Sequence, residues 1–389
     1  DRYTDPGEPM TRPNAFGREV LLLGKGGKTL YFGGLGASPE GERPFLDALD
    51  LSRPAPRQPQ RLFRSAAPYF EDPAEVLDEA GKTVLVRRES VTEPPNYFVR
   101  DLASGKERRL TSFPSPVPQL AQAYKEVIHY RRADGVELSG TLYLPPGRKP
   151  ADGPLPLLMW AYPAEFKSAD AAGQTTPSPY RFEQVNWYSP MIWVLRGYAV
   201  LDNPSMPIVG VGEAEPNDTY VQQLVADAQA AVDEVVRRGV AERARIAIAG
   251  HSYGAFMTAN LLAHSHLFAT GIAMSGAYNR TLTPFGFQAE ERNLWQAPVV
   301  YTEMSPFQHA DQVKEPILLV HGQADNNPGT DPVQSERFYN AIKGLGGTAR
   351  LVLLPFESHT YRGRESVLHL LWEMDEWLGA HLRGAGVGR

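Results

Sequence analysis

The sequence predicts an α/β protein, a doubly wound and mostly parallel sheet, preceded by part of a β-propeller. Three observations lead there. From about residue 119 onward, apolar strand-like runs alternate with helical patterns. Within that stretch Gly250-His251-Ser252-Tyr253-Gly254 stands between such a strand and a helix. The earlier residues instead string together short β-type runs divided by Gly, Pro and Asp clusters.

At 389 residues the chain exceeds what one compact core supports, and it divides into 1–118 and 119–389. The net charge of −6 argues against a nucleic-acid partner, which calls for a basic face. No run of about eighteen apolar residues is present, so no membrane span is expected. The absence of cysteine removes disulfides, thiolate metal sites and a cysteine nucleophile together. Neither a metal nor a cofactor is called for. The compartment stays open between cytoplasmic and periplasmic or secreted.

In 1–118 the expected strands include 19–23, 29–32, 83–87 and 96–101. A weak repeat runs through them: Lys28-Thr29-Leu30 returns as Lys82-Thr83-Val84, and Leu49-Asp50-Leu51 as Arg100-Asp101-Leu102. A period of about fifty residues holding about four strands suits a propeller blade. Gly24-Lys25-Gly26-Gly27-Lys28-Thr29 is not a phosphate loop. The motif's first glycine would fall on Leu22, and Thr29 opens a strand rather than a helix. Two blades fall short of the roughly four to eight of closed propellers. With no Met before Asp1, further propeller is expected upstream, in the same gene or as a nicked chain that stays associated.

Pro114, Pro116 and Pro118 mark a linker. Beyond it the expected strands are 125–130, 137–144, 155–162, 198–203, 245–249, 270–274, 316–320 and 349–354, the first two an antiparallel edge hairpin around Gly135. Helices are expected at 220–238, 253–264, 332–345 and 365–382. The later strands are apolar throughout, as strands covered on both faces are, and ligands bind at the C-terminal ends of such strands.

Gly250-His251-Ser252-Tyr253-Gly254 fits the nucleophile elbow G-x-S-x-G, in which glycines allow the turn that lifts the serine above the sheet. A serine hydroxyl needs a base and the base an orienting acid, here in the chain order Ser, acid, His. Strand 316–320 runs into His321-Gly322-Gln323-Ala324-Asp325, and strand 349–354 into Pro355-Phe356-Glu357-Ser358-His359. Asp325 and His359 thus follow two consecutive strands and complete a triad with Ser252. Glu357 and Asp331 are alternative acids, but neither closes a strand. His264, His266, His309, His369 and His381 fall in helices or distant turns, and His321 shapes the turn before the acid. One oxyanion-hole donor is expected from the Tyr253 backbone N–H. Pro163 has no N–H to give, so the second role falls to the Tyr162 hydroxyl. The alternative for Tyr162 is a buried residue at a strand end.

These residues resemble the prolyl oligopeptidase family of serine peptidases over 119–389, with Ser305-Pro306 before the acid strand and His321-Gly322 adding to the match. The resemblance implies an α/β-hydrolase domain under a propeller and a peptide substrate. It places Tyr162 in the oxyanion hole and Asn327 on a substrate backbone carbonyl. Tyr162-Pro163-Ala164-Glu165-Phe166, residues 275–286 and Ala324-Asp325-Asn326-Asn327 look most like the glutamyl endopeptidase branch. Ala255 and Thr360 depart from the family's usual glycines. Arg280 lies in the loop after strand 270–274, where a guanidinium would pair with a substrate carboxylate. Its alternatives are the surface, or pairing with Glu290 or Glu291. An aminopeptidase, dipeptidyl peptidase or esterase would use the same triad. A catalytically silent propeller–hydrolase scaffold is a third reading.

Overall fold

The computed structural model describes residues 1–174 and 177–382, which form two compact units. The first comprises Asp1–Gln122 and Gln174–Glu183, the second Ala123–Gly173 and Gln184–Arg389.

In the first unit, Glu8–Pro9, Thr29–Gly34, Phe45–Asp50 and Gln60–Arg64 form one antiparallel sheet, with Leu23–Gly24 paired to Thr29–Gly34. Phe70–Val76, Thr83–Glu89, Asn96–Asp101 and Glu107–Arg109 form a second as a simple meander. The repeat read from the sequence is also one of register. Thr29 stands opposite Asp50, and Thr83 opposite Asp101. Each aspartate then accepts a backbone N–H in the turn that follows, Asp50 from Ser52 at 2.9 Å and Asp101 from Ser104 at 2.7 Å. Tyr31, Leu46, Phe63, Val76, Val84 and Val86 join the two sheets in one apolar core. Gly24 to Thr29 closes a hairpin, with Lys25, Gly26 and Gly27 at positive φ. The described residues form no closed ring of blades.

The unit runs past Pro118 to Gln122 and takes back Gln174–Glu183 from the later sequence. There Arg181 pairs with Glu42 at 2.8 Å and lies over the Phe70 ring at 4.3 Å.

The second unit is built on an eight-stranded sheet: β1 (Tyr124–Arg131), β2 (Glu137–Leu144), β3 (Leu155–Trp160), β4 (Ala199–Asp202), β5 (Ala241–His251), β6 (Thr270–Met274), β7 (Ile317–Gly322) and β8 (Ala349–Leu354). The spatial order is β1-β2-β4-β3-β5-β6-β7-β8. The pairs β1/β2 and β2/β4 are antiparallel and the rest parallel, which gives the edge hairpin and parallel core that the sequence predicts. Its long helices are α1 (Tyr220–Arg237), α2 (Tyr253–His264), α3 (Val333–Gly344) and α4 (Arg364–Leu382), each within two residues of its expected bounds. Strands β6 and β7 are buried throughout and β5 from Ile246 to Gly250, because helices cover both faces. Helix α2 is buried from Tyr253 through Ala263. A helix that is apolar all round belongs inside the core, and this one follows directly from the Ser252 turn. The topology and helix placement are those of an α/β-hydrolase domain.

Candidate active site

The turn between β5 and α2 is tight. Ser252 sits at φ 59° and ψ −117°, a conformation that side-chain-bearing residues adopt at a cost of roughly 1–3 kcal/mol. The glycines on either side make it possible. A Cβ on Gly250 would lie 2.5 Å from the Gly254 carbonyl carbon, and one on Gly254 would lie 2.6 Å from the Ala161 oxygen. The Ser252 N–H donates to the Met274 carbonyl at 2.8 Å, pinning the turn to β6.

The loops after β7 and β8 bring Asp325 and His359 to this serine. His359 Nε2 is 3.0 Å from Ser252 Oγ, and His359 Nδ1 is 2.9 Å from Asp325 Oδ2. Asp325 Oδ2 also accepts from the Thr330 hydroxyl at 3.1 Å and lies 3.0 Å from His321 Nε2, while Oδ1 accepts the Asn327 N–H at 2.9 Å. Burial pushes the Asp325 carboxyl up, but hydrogen bonds from His321, His359 and the Asn327 N–H outweigh it and hold the group well below the usual carboxylate range. His321 Nε2 is also 2.7 Å from the Thr330 carbonyl, which can only accept. Nε2 therefore carries the proton, and Nδ1 takes the Ser335 hydroxyl at 2.6 Å. His321 does more than shape a turn, since it holds the acid from below.

His251, inside the elbow, directs Nε2 at the His359 carbonyl at 2.7 Å and packs edge-on against Trp187. Burial drops its imidazole to about 4, so near neutral pH it is uncharged and donates to that carbonyl.

Tyr162 is 48% exposed, so it is not a buried strand-end tyrosine. Its hydroxyl neighbours the Ser252 and Gln288 side chains, and partial burial raises it above the ordinary tyrosine value. Tyr253 opens α2 and is buried, and its hydroxyl donates to Glu165 Oε1 at 2.6 Å.

A cavity of about 220 Å³ opens beside Ser252, lined among others by Tyr253, Arg280, Phe287, Gln288 and Asn327. Arg280 is 5% exposed, with its guanidinium 4.2 Å from the Phe256 ring, 4.3 Å from Phe287 and 5.6 Å from Tyr253. Its Nε is buried without a hydrogen-bond partner. Burial lowers the guanidinium from its ordinary value, and Tyr253, Tyr220 and Glu165 offset this only through space. Neither alternative for Arg280 holds. Glu290 is taken by Arg292 at 2.7 Å, and Glu291 faces solvent. Asn327 shares the cavity, and its Oδ1 accepts the Gly329 N–H at 3.0 Å.

The other candidates lie elsewhere. Glu357 accepts the Arg362 and Gly363 N–H groups, and Asp331 accepts that of Val333. His264 meets His309 edge-on, His266 pairs with Glu315, His369 with Glu373, and His381 packs on Trp377. Among the described residues no cluster of three or more His, Cys, Asp or Glu could hold a metal ion, and no helix is long and apolar enough to cross a membrane. Thr330 and Gln288 escape the sequence reading, because each reaches the site through tertiary contact and neither belongs to a spaced motif, whereas Glu165 stands in the match at 162–166 without a role assigned to it.

Residues 215–385 match the model of the prolyl oligopeptidase family. The chain is 52% identical to the probable glutamyl endopeptidase, chloroplastic, of Oryza sativa subsp. japonica, over 97% of this chain and 42% of that protein. The protein of the same name from Arabidopsis thaliana is also 52% identical, over 97% of this chain and 41% of its own length. The chain thus spans about two-fifths of the length of these relatives. The crystal structure of Porphyromonas gingivalis dipeptidyl peptidase 4 superposes with a TM-score of 0.69 at 19% identity, covering 92% of this chain and 49% of that one, a likeness of fold alone. With an elbow serine, an acid and a histidine closing consecutive strands of an α/β-hydrolase sheet, and with relatives at this level of identity, the chain carries a domain of the prolyl oligopeptidase family over residues 215–385.

Proposed function

We propose that this chain carries the catalytic part of a serine endopeptidase that cleaves peptides after glutamate, with Ser252, His359 and Asp325 as its triad. The observation that carries the reading is the hydrogen-bonded relay Ser252 Oγ–His359 Nε2 and His359 Nδ1–Asp325 Oδ2, at 3.0 and 2.9 Å. His359 takes the Ser252 proton as Oγ attacks the scissile carbonyl, and Asp325 stabilises the imidazolium that forms. The oxyanion is received by the Tyr253 backbone N–H at the start of α2 and by the Tyr162 hydroxyl. His359 then gives its proton to the leaving amine, and an acyl-enzyme remains on Ser252. A water activated by the same histidine releases the acid product and restores the serine.

The preference for glutamate rests on Arg280. A buried guanidinium without an internal carboxylate is costly unless a ligand supplies the anion, and this one faces the cavity beside Ser252. Asn327 borders the same cavity, in reach of a role on a substrate backbone carbonyl. The two antiparallel sheets of the first unit are read as propeller blades, 1–118 as their domain and 119–389 as the catalytic one.

Fluorophosphonate labelling followed by peptide mapping tests the nucleophile, with the adduct expected on Ser252. A mixed peptide library tests specificity, with cleavage expected after Glu and retained on N-blocked peptides. A dependence on a free amino terminus would instead identify an aminopeptidase or dipeptidyl peptidase.

A further inference from the structure

We propose that Glu165 sets how strongly the Arg280 pocket prefers an acidic side chain, and that the same carboxylate holds the two oxyanion-hole residues in register. The proposal rests on the roles given above to Ser252, Tyr162, Tyr253 and Arg280.

The positioning half follows from connectivity. Glu165 lies three residues beyond Tyr162, in the short strand Ala164–Phe166. Parallel pairing with Pro207–Val209 sets it opposite Ile208. Its Oε1 accepts the Tyr253 hydroxyl at 2.6 Å. The Tyr253 ring in turn meets the Tyr162 ring edge-on at 5.8 Å. One oxyanion donor belongs to the loop that carries Glu165, and the other to the start of α2. The Glu165–Tyr253 hydrogen bond ties that loop to that helix.

The specificity half follows from charge. Burial raises the Glu165 carboxyl above its ordinary value, the Tyr253 hydrogen bond and Arg280 oppose this, Glu290 adds to it, and Tyr162 and Tyr220 also feel its charge. Glu290 is already neutralised by a two-point pair with Arg292, at 2.7 and 2.8 Å. Glu165 is linked to Arg280 through Tyr253, whose hydroxyl donates to Glu165 Oε1 and whose ring lies 5.6 Å from the guanidinium, so its charge reaches Arg280 without a direct ion pair. A substrate carboxylate arriving at Arg280 therefore binds against a resident negative charge. That resident charge also lessens the cost of leaving Arg280 buried while the pocket is empty. Both effects weaken the capture of an acidic side chain, so Glu165 limits the preference.

The two halves separate experimentally, because Glu165→Gln removes the charge but keeps an oxygen that accepts from Tyr253, whereas Tyr253→Phe breaks the hydrogen bond and keeps the charge. The measurement is kcat and KM on paired peptides that differ only in Glu or Gln at P1. Glu165→Gln should raise the Glu-over-Gln ratio of kcat/KM about tenfold, while kcat on the Gln peptide stays within about threefold of wild type. Tyr253→Phe should lower kcat about tenfold on both peptides and leave the ratio alone. An unchanged or lower ratio in Glu165→Gln overturns the specificity role, and wild-type kcat in Tyr253→Phe overturns the positioning role. A wild-type enzyme with no preference for Glu over Gln would overturn the Arg280 reading itself, and this proposal with it.

Discussion

Replacing Arg280 with Met removes the charge while keeping an unbranched side chain against Phe256, Phe287 and Tyr253. In the free protein Arg280 is 5% exposed, has a buried Nε without a partner, and turns its guanidinium to three aromatic rings rather than an anion. Once a glutamate side chain enters, the ion pair would be formed largely out of water. Truncating one partner of such a pair costs about 2–5 kcal/mol. At about 1.4 kcal/mol per tenfold, that is a fall in kcat/KM of roughly 30- to 5,000-fold for a P1 glutamate. A P1 glutamine peptide should lose less than about threefold, since it brings no charge to be stranded. The same substitution should leave Tm unchanged or raise it, because an apolar residue replaces an uncompensated buried charge. Initial rates on the two peptides, with calorimetry of the free proteins, give all three numbers. Equal losses on both peptides would refute the pocket assignment. Arg181 and Arg292 are poor substitutes for the role, as each is already engaged, with Glu42 and with Glu290 and Asp218.

Ser252→Ala should keep the fold and reduce turnover by roughly 10⁴-fold or more, checked by single-turnover assays alongside circular dichroism. Tyr162→Phe should lower kcat by roughly 10²-fold with little change in KM, because a hydroxyl placed for the oxyanion acts chiefly in the transition state; an effect confined to KM would count against that role. Stability should fall as pH drops from about 6.5 toward 4: burial holds the His251 and His264 imidazoles at about 4, so in this window the unfolded chain binds protons that the folded one refuses. Denaturant melts across that range should show the slope, and His251→Gln should flatten it.

Much of this molecule was readable from residue order, for identifiable reasons. Parallel strands buried on both faces leave long apolar runs, so β5 to β7 and the helices between them stand out. Ser252, Asp325 and His359 follow because an elbow has a spaced motif and strand ends are easy to find. What stayed hidden is made of short pieces with no period of their own. Ala164–Phe166 pairs with Pro207–Val209 over three residues each, too few for any alternation to register. Gln174–Glu183 joins the first unit through partners such as Glu42, far away in sequence. Thr330 and His321 converge on one oxygen of Asp325 because a loop folds back over β7, and nothing in their spacing announces it. Arg280 was visible as a residue, but that Glu290 belongs to Arg292 could be learned only from the fold.

The side chains proposed to react are mounted on supports of unequal firmness. Ser252 caps a helix buried along nearly its whole length and rises from β5, inside the sheet. His359 hangs from the loop after β8, an edge strand that keeps only Val352 and Leu354 fully buried. Partial unfolding starts where burial is thinnest, so the base should drift away while the nucleophile's scaffold is still intact. Enzymatic half-life in mild denaturant would then report the detachment of one edge, and an activity-based melting point would understate the stability of the domain.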